Sequence, residues 1–130
     1  MDPADLSSLL ENGAVIFPGH TTDAADRPWR APPGSNGVFL KDLATGEETG
    51  GKFSYHLVRI AKGCEVANHD HAIPWEWNTI LRGNGTIILG DREIPVLTGQ
   101  SCATPPTVPH AVRAGDEDLL LVALFIPALA

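Results

Sequence analysis

Thirteen glycines and eleven prolines interrupt this chain of 130 residues, and only short apolar runs lie between them. Glycine opens backbone angles closed to other residues, and proline fixes φ while removing a donor, so each marks a turn. Punctuation of this density favours an all-β sandwich or barrel over helical layers. The length suits one domain, and 43% hydrophobic residues is globular rather than disordered. Residues 5–13 are the exception, with Leu6, Leu9 and Leu10 at helical spacing and Gly13 as a stop. An edge strand over 14–18 and an irregular arm over 19–36, anchored by Trp29, are expected next. Thus 1–36 form an N-terminal helix and arm of the same domain, and 37–130 form the barrel. Strands are expected at 38–40, 52–60, 86–89, 93–96, 101–104, 111–114 and 119–126, with tight turns at Asn84 and at Gly90-Asp91.

The last of these strands reads LLLVALFI and does not alternate. A strand apolar on both sides is buried on both sides. One side would face the barrel interior, so the arm or a second subunit must cover the other. A homodimer is expected on this ground.

Residues 63–83 read GCEVANHDHAIPWEWNTILRG and carry His69, His71 and Glu76 within eight positions. His-x-His puts two side chains on one face of an extended strand. Glu76 follows a proline-containing turn and can return from a neighbouring strand, and His110 arrives from the distant segment PPTVPH. Taken singly, each has an ordinary role as a surface, core or turn residue. Together, three imidazoles and a carboxylate suit Fe, Mn, Ni, Zn or Cu, and ligand type alone does not choose among them. Four protein ligands leave two positions open on an octahedral ion, as catalysis requires, whereas a closed tetrahedral zinc site would be structural.

The run Gly63, five residues, His69, one residue, His71, four residues, Glu76, six residues, Gly83 resembles the first cupin motif at every fixed position. The second cupin motif is similar to the stretch from Gly99 through Pro105, Pro106 and Pro109 to His110. It departs at Ala114, where the family often has asparagine, and at Pro95, which falls a little early. The resemblance implies a cupin-type double-stranded β-helix (a jelly-roll barrel). It also implies one divalent transition metal ion, iron foremost, held by His69, His71, Glu76 and His110, and an N-terminal segment that clasps a second subunit.

A net charge of −7, with basic residues scattered singly, gives no footprint for nucleic acid or for an anionic membrane. The acidic start MDPADLSSLLENG has no basic leader, and no apolar run is long enough to span a bilayer. A cytoplasmic protein with Cys64 and Cys102 reduced and buried is expected, a redox-sensitive pair being the alternative. Strand alternation points Cys64 away from the His69 face. Phosphate loops, dinucleotide fingerprints, nucleophile elbows and zinc-finger spacings are missing from the sequence.

Around the metal set, Trp75 is a candidate to cover a ligand or to plug the core. Tyr55 is a candidate substrate hydroxyl or a core residue, and Arg59 and Arg82 are candidates for a substrate carboxylate or for salt bridges. Trp77 is assigned to packing or a subunit contact, His56 to a structural role and His20 to the surface. Gly83-Asn84-Gly85 reads as a hairpin turn. The leading expectation is a metal-dependent enzyme acting on a small organic molecule, as a non-haem Fe(II) dioxygenase or a related lyase or isomerase. The alternative is a metal-anchored binding or sensing module without turnover, or a barrel filled by Trp75 and phenylalanines.

Overall fold

The strand Ser54–Ile60 explains how the molecule is layered. Its alternate residues Ser54, His56, Val58 and Ile60 are buried, and so is Leu57 on the opposite face. A strand buried on both faces needs a layer on each side. In this computed structural model, which describes residues 3–129, the inner layer is a second sheet and the outer layer is the N-terminal segment.

In chain order the elements are α1 Pro3–Asn12, β1 Ala14–Ile16, β2 Thr21–Asp23, a single 3₁₀ turn Ala24–Asp26 and β3 Trp29–Arg30. They continue with β4 Val38–Ala44, β5 Ser54–Ile60, β6 Glu65–His69, β7 Trp75–Arg82, β8 Asn84–Leu89 and β9 Arg92–Leu97. The chain closes with β10 Ser101–Thr104, β11 His110–Ala114 and β12 Leu119–Ile126. A six-stranded antiparallel sheet runs β10-β7-β12-β5-β4-β3, and a four-stranded one runs β6-β11-β8-β9. The two face each other as a jelly roll. The apolar core between them includes Val38, Ile60, Ile80, Ile87, Val112, Leu119 and Leu121. No helix among the described residues is long and apolar enough to cross a membrane.

The expected arm is more regular than its composition suggests. β1 and β2 form their own hairpin, and β3 adds to the sheet by pairing with β4. Helix α1 buries Ser7 and turns Leu10 inward, while Leu6 and Leu9 stay largely exposed, so the leucine stripe is only partly used. Leu10, Val15 and Trp29 join Leu57, Leu81 and Val122 in a second core on the outer face of the large sheet. This covers one half of β12 and accounts for part of its unbroken apolar run. Lys41 is buried here and donates to the carbonyl of Ala24 at 2.6 Å.

Two readings of local structure differ from the sequence expectation. Residues 83–85 do not close a hairpin, because β7 and β8 belong to different sheets. The chain turns a corner there. Gly83 has φ +93° and a Cβ on it would lie 2.3 Å from the Asp118 carbonyl oxygen, while one on Gly85 would lie 2.2 Å from that of Arg113. Glycine is needed for close backbone approach. Likewise β6 and β7 are not neighbours but belong to different sheets.

A polar chain, exposed at Arg30 and buried at His56 and Ser54, ties arm, barrel and C-terminal end together. Arg30 holds Asp42 by two hydrogen bonds of 2.9 and 3.1 Å. Burial pushes the Asp42 carboxyl up, but the bonds from Arg30 and His56 outweigh it and hold it below its ordinary range. His56 Nδ1 therefore donates to Asp42 at 2.8 Å, and its Nε2 accepts from Ser54 Oγ at 2.9 Å. Ser54 Oγ in turn accepts from the Leu129 amide at 3.0 Å. His56 is fully satisfied, as its structural assignment requires. His20 is exposed, stacked on Phe17.

Glu48 fastens the arm to the β4–β5 turn. It accepts from Arg27 at 2.6 Å and from the Thr45 amide at 3.0 Å, and lies 3.4 Å from His20 Nε2. The Arg27 bond, opposed by burial and helped by Thr45 and His20, lowers its pKa to about 2 from an ordinary 4.5. A depressed carboxylate stabilises the fold above the unfolded value, and the contribution is lost as pH falls through the folded one. In calorimetric melts, Glu48→Gln is expected to lower Tm at neutral pH, and the gap to the parent should close between pH 4.5 and 2. A gap independent of pH would contradict this role.

Candidate metal centre

His69 ends β6, His110 opens β11, and the two are directly paired across the small sheet. Glu76 is the second residue of β7, in the large sheet, paired with Phe125 and Thr104 on either side. His71 stands in the connection between the sheets, beyond the end of β6. The His-x-His pair thus straddles a strand end and does not lie along one strand face. The His71 turn is held by the Thr107 amide, which donates to the His71 carbonyl at 2.8 Å. Thr107 has φ +70°, a left-handed conformation unusual for a β-branched residue. Phe125 sets its ring edge-on to His71, with centroids 5.3 Å apart.

One nitrogen or oxygen from each of His69, His71, Glu76 and His110 lies within 4.8 Å of the others. Ligand atoms on opposite sides of a transition metal are about 4 Å apart, so a contraction of a few tenths of an ångström would seat an ion. The protonation pattern also fits. His69 Nδ1 donates to the Ala67 carbonyl at 2.8 Å, and His110 Nδ1 donates to that of Val108 at 3.0 Å. These backbone acceptors occupy each Nδ1 and turn each Nε2 to the cluster, the usual support of a ligating imidazole. His71 Nε2 is buried 3.3 Å from Glu76 Oε1 with no hydrogen-bond partner. An orphaned imidazole nitrogen among such neighbours is what a cation would satisfy.

The electrostatics are those of a carboxylate already committed to positive charge. Glu76 is 8% exposed. Burial pushes its pKa up, yet His110 at 3.0 Å and the less well aligned His71 bring it down to about 2. His110 is displaced the other way, since burial lowers it but the bonds to Glu76 and Val108 raise it further. His69 is lowered, chiefly by burial. With neutral His69 and anionic Glu76, both are in the forms a metal requires.

The quartet forms part of the wall of a cavity of about 700 Å³ between the sheets, lined otherwise by aliphatic residues such as Val58, Ile60, Val112 and Leu121. The barrel is therefore not filled by aromatic side chains. The pocket candidates fare differently from the ligands. Tyr55 and Arg59 occupy the outer face of β5. Tyr55 packs into the second core, and Arg59 stacks on Trp29 and Phe39 at 4.8 and 5.3 Å. Trp75 is 53% exposed on the outer face of β7, because β7 turns Glu76, Asn78 and Ile80 inward. None of the three lines the cavity. Trp77 shares the outer face with Trp75, and Arg82 is exposed. Cys64 precedes β6, outside its alternation, and does line the cavity, and both cysteines are free thiols packed against the main core. Asn78 was overlooked in the sequence, although it lies two residues after Glu76 and so shares its inward face.

A sequence model of the cupin domain matches residues 56–126, more than half of the chain. The protein belongs to the cupin family. Three solved structures illustrate the likeness. A predicted oxalate decarboxylase from Thermotoga maritima superposes with a TM-score of 0.73 at 23% identity, over 79% of this chain and 95% of that one. An RmlC-like cupin from Shewanella frigidimarina gives 0.72 at 18%, over 83% and 90%. A polyketide cyclase from Streptomyces resistomycificus gives 0.69 at 17%, over 78% and 75%. At such identities the likeness speaks for the fold. No curated protein sequence matches significantly.

In this cupin the fourth ligand is the most exacting test of the site, because His110 is 2% exposed and comes from the opposite motif. His110→Ala is expected to reduce zinc or iron affinity by more than about tenfold, read by elemental analysis after dialysis. Ala114→Ser, four residues further along β11, should retain the ion. Full occupancy in His110→Ala would remove it from the ligand set.

Proposed function

We propose that this cupin is a metal-dependent enzyme acting on a small organic molecule, with non-haem Fe(II) dioxygenase chemistry as the leading reading and a lyase or isomerase as its relative. The observation that carries it is the His69, His71, Glu76 and His110 quartet on the wall of an apolar cavity large enough for a substrate. Enzymes are found among proteins of similar fold, including the polyketide cyclase and an ectoine synthase. When bound, a divalent ion supplies Lewis acidity and, where it is iron, activation of dioxygen. Mn, Ni, Zn and Cu suit the same donors.

The chain's own residues contribute orientation and dryness. Ala67 and Val108 hold two imidazoles in register, Phe125 braces the third, and the aliphatic walls exclude water. Apart from the quartet, the titratable side chains lining the cavity, among the described residues, are Cys64, Glu65 and Arg113, and Arg113 lies 3.4 Å from Glu65 as an ion pair. A cavity with so few groups to shuttle protons favours chemistry centred on the metal. It also keeps a second reading open, that of a binding or sensing module anchored by the metal. Protein loaded anaerobically with ferrous iron is expected to consume dioxygen with at least one of a set of diketones, catechols and hydroxy acids. Tight binding without uptake by any of them would favour the module.

The same reading includes a homodimer in the cytoplasm with both thiols reduced, its arm and barrel working as one domain. Trp75, Trp77 and Ile126 are each about half exposed on the outer face of β7 and β12, beyond the reach of the arm. With Leu124 and Ala103 they line an apolar cleft, and a patch of this kind on a folded protein marks an interface. Trp77→Glu is expected to convert a dimer to a monomer in light scattering. A parent that is already monomeric at micromolar concentration would exclude the dimer.

A further inference from the structure

Outside the histidine–glutamate quartet, one buried polar side chain lining the cavity, among the described residues, is left without a complete set of partners. Asn78 is 2% exposed and lines the cavity two residues beyond Glu76 on the inward face of β7. Its amide adjoins the Glu76 carboxylate and is the smallest of the influences that hold that carboxylate low. Of the two ends of a carboxamide only the NH₂ donates, so the end that faces a carboxylate oxygen is the NH₂ and the other is the carbonyl. That oxygen, Oδ1, is buried with no hydrogen-bond partner. A buried acceptor without a partner is destabilising, and it calls for a donor. None of the neighbouring apolar walls offers one. Asn78 lines the cavity, and the torsion that carries its amide is soft.

The charges lining the cavity narrow the choice further. Among the described lining residues, Arg113 is the one cation other than the histidines, and it is half-exposed and engaged with Glu65 and Glu93. Nothing in the interior would receive a phosphate or a second carboxylate away from the metal quartet. Successive inward residues of a strand lie about 6–7 Å apart, which sets the span between a group at the metal and one at Asn78.

We infer that Asn78 selects the substrate by accepting a hydrogen bond from a hydroxyl or amino group about 5–7 Å from the ligand's metal-facing end, on an otherwise apolar body with no second anionic group. The inference rests on the reading of the quartet as a metal centre and names the ligand class it would take. Asn78 acts here as a specificity residue, with its NH₂ steadying Glu76 and its carbonyl reading the ligand.

The test uses zinc-loaded full-length protein and calorimetric titration with 3- and 4-hydroxybenzoate and 6-hydroxyhexanoate. Each is paired with its methyl ether and its deoxy acid, and isophthalate provides a second carboxylate. At least one hydroxy acid is expected to bind tenfold or more tightly than its ether and its deoxy partner, and isophthalate more weakly than 3-hydroxybenzoate. Asn78→Leu should bind hydroxy and methoxy acids alike, while Asn78→Asp, which keeps an acceptor, should retain the preference. Equal affinities within every pair, a preference that survives Asn78→Leu, isophthalate as the tightest ligand, or binding by no hydroxy acid would each overturn the inference. The comparison within pairs on the parent protein needs no variant to fold. Failure of the metal reading is distinct: zinc would then be lost on dialysis, and the pair preference would be read on the zinc-free protein.

Discussion

A carboxylate buried between two β-sheets must have its charge met where it stands. Glu76 is that group, and much of the site follows from it. Taking an isolated carboxylate out of water is costly enough that it would ordinarily take up a proton. Here the facing sheet delivers His110 to 3.0 Å and the connection delivers His71 to 3.3 Å, and the carboxylate is stabilised as an anion. The histidines are then constrained in turn, because backbone carbonyls of Ala67 and Val108 claim the far nitrogen of two of them. Each lone pair left over points at the same small volume. Without an ion, His110 meets Glu76 as a donor. With one, the same atoms meet the ion.

That convergence depends on the sandwich geometry, and the sandwich depends on its corners. His69 and His110 pair within one sheet, but Glu76 reaches them only because the chain crosses to the opposite sheet between residues 71 and 75 and crosses back at Gly83. At Gly83 the Asp118 carbonyl passes 2.3 Å from where a Cβ would lie, and only glycine can stand there. On the other side of the site, Thr107 accepts a left-handed backbone so that its amide can hold His71. The strain sits within one hydrogen bond of a ligand, where it fixes a loop that would otherwise move.

The fold and the gathering of the quartet were legible in the sequence because both rest on spacing. Turn residues at short intervals cannot be reconciled with helices, and four ligands at fixed offsets name their own partners. What was not legible rests on which way a strand faces. Tyr55 and Arg59 have the parity of Leu57, and Val58 and Ile60 have the other; both sets are apolar enough to be core, and both are core. Only the docking of Leu10, Val15 and Trp29 on the Leu57 side decides that Tyr55 and Arg59 point away from the cavity. The direction of Trp75 was hidden for a related reason. An aromatic beside a ligand suggests a lid, but alternation from inward Glu76 turns it outward. The same alternation, carried one step the other way, would have found Asn78. Chain corners were hidden too, since glycine-asparagine-glycine supports a hairpin as readily as a crossing between sheets.

The two faces of β12 then divide the molecule's functions. Inward, Leu121, Ala123 and Phe125 line the cavity; outward, Val122 is sealed by the arm while Leu124 and Ile126 are not. A cavity walled by such residues binds an apolar body with little regard to its shape, because one methylene changes affinity only modestly. Discrimination must come from the few polar atoms that interrupt the wall. Polar atoms already paired within the protein gain little from a ligand, whereas an unpaired buried acceptor gains a full hydrogen bond and penalises any ligand without a donor. In this cupin Glu76, His110 and the Arg113–Glu65 pair are committed to one another, and the open His71 nitrogen belongs to the candidate metal centre. Ser35 and Asn36 also line the cavity, but the buried unpartnered acceptor is the Asn78 carboxamide, set by strand periodicity one step beyond the carboxylate that anchors the site.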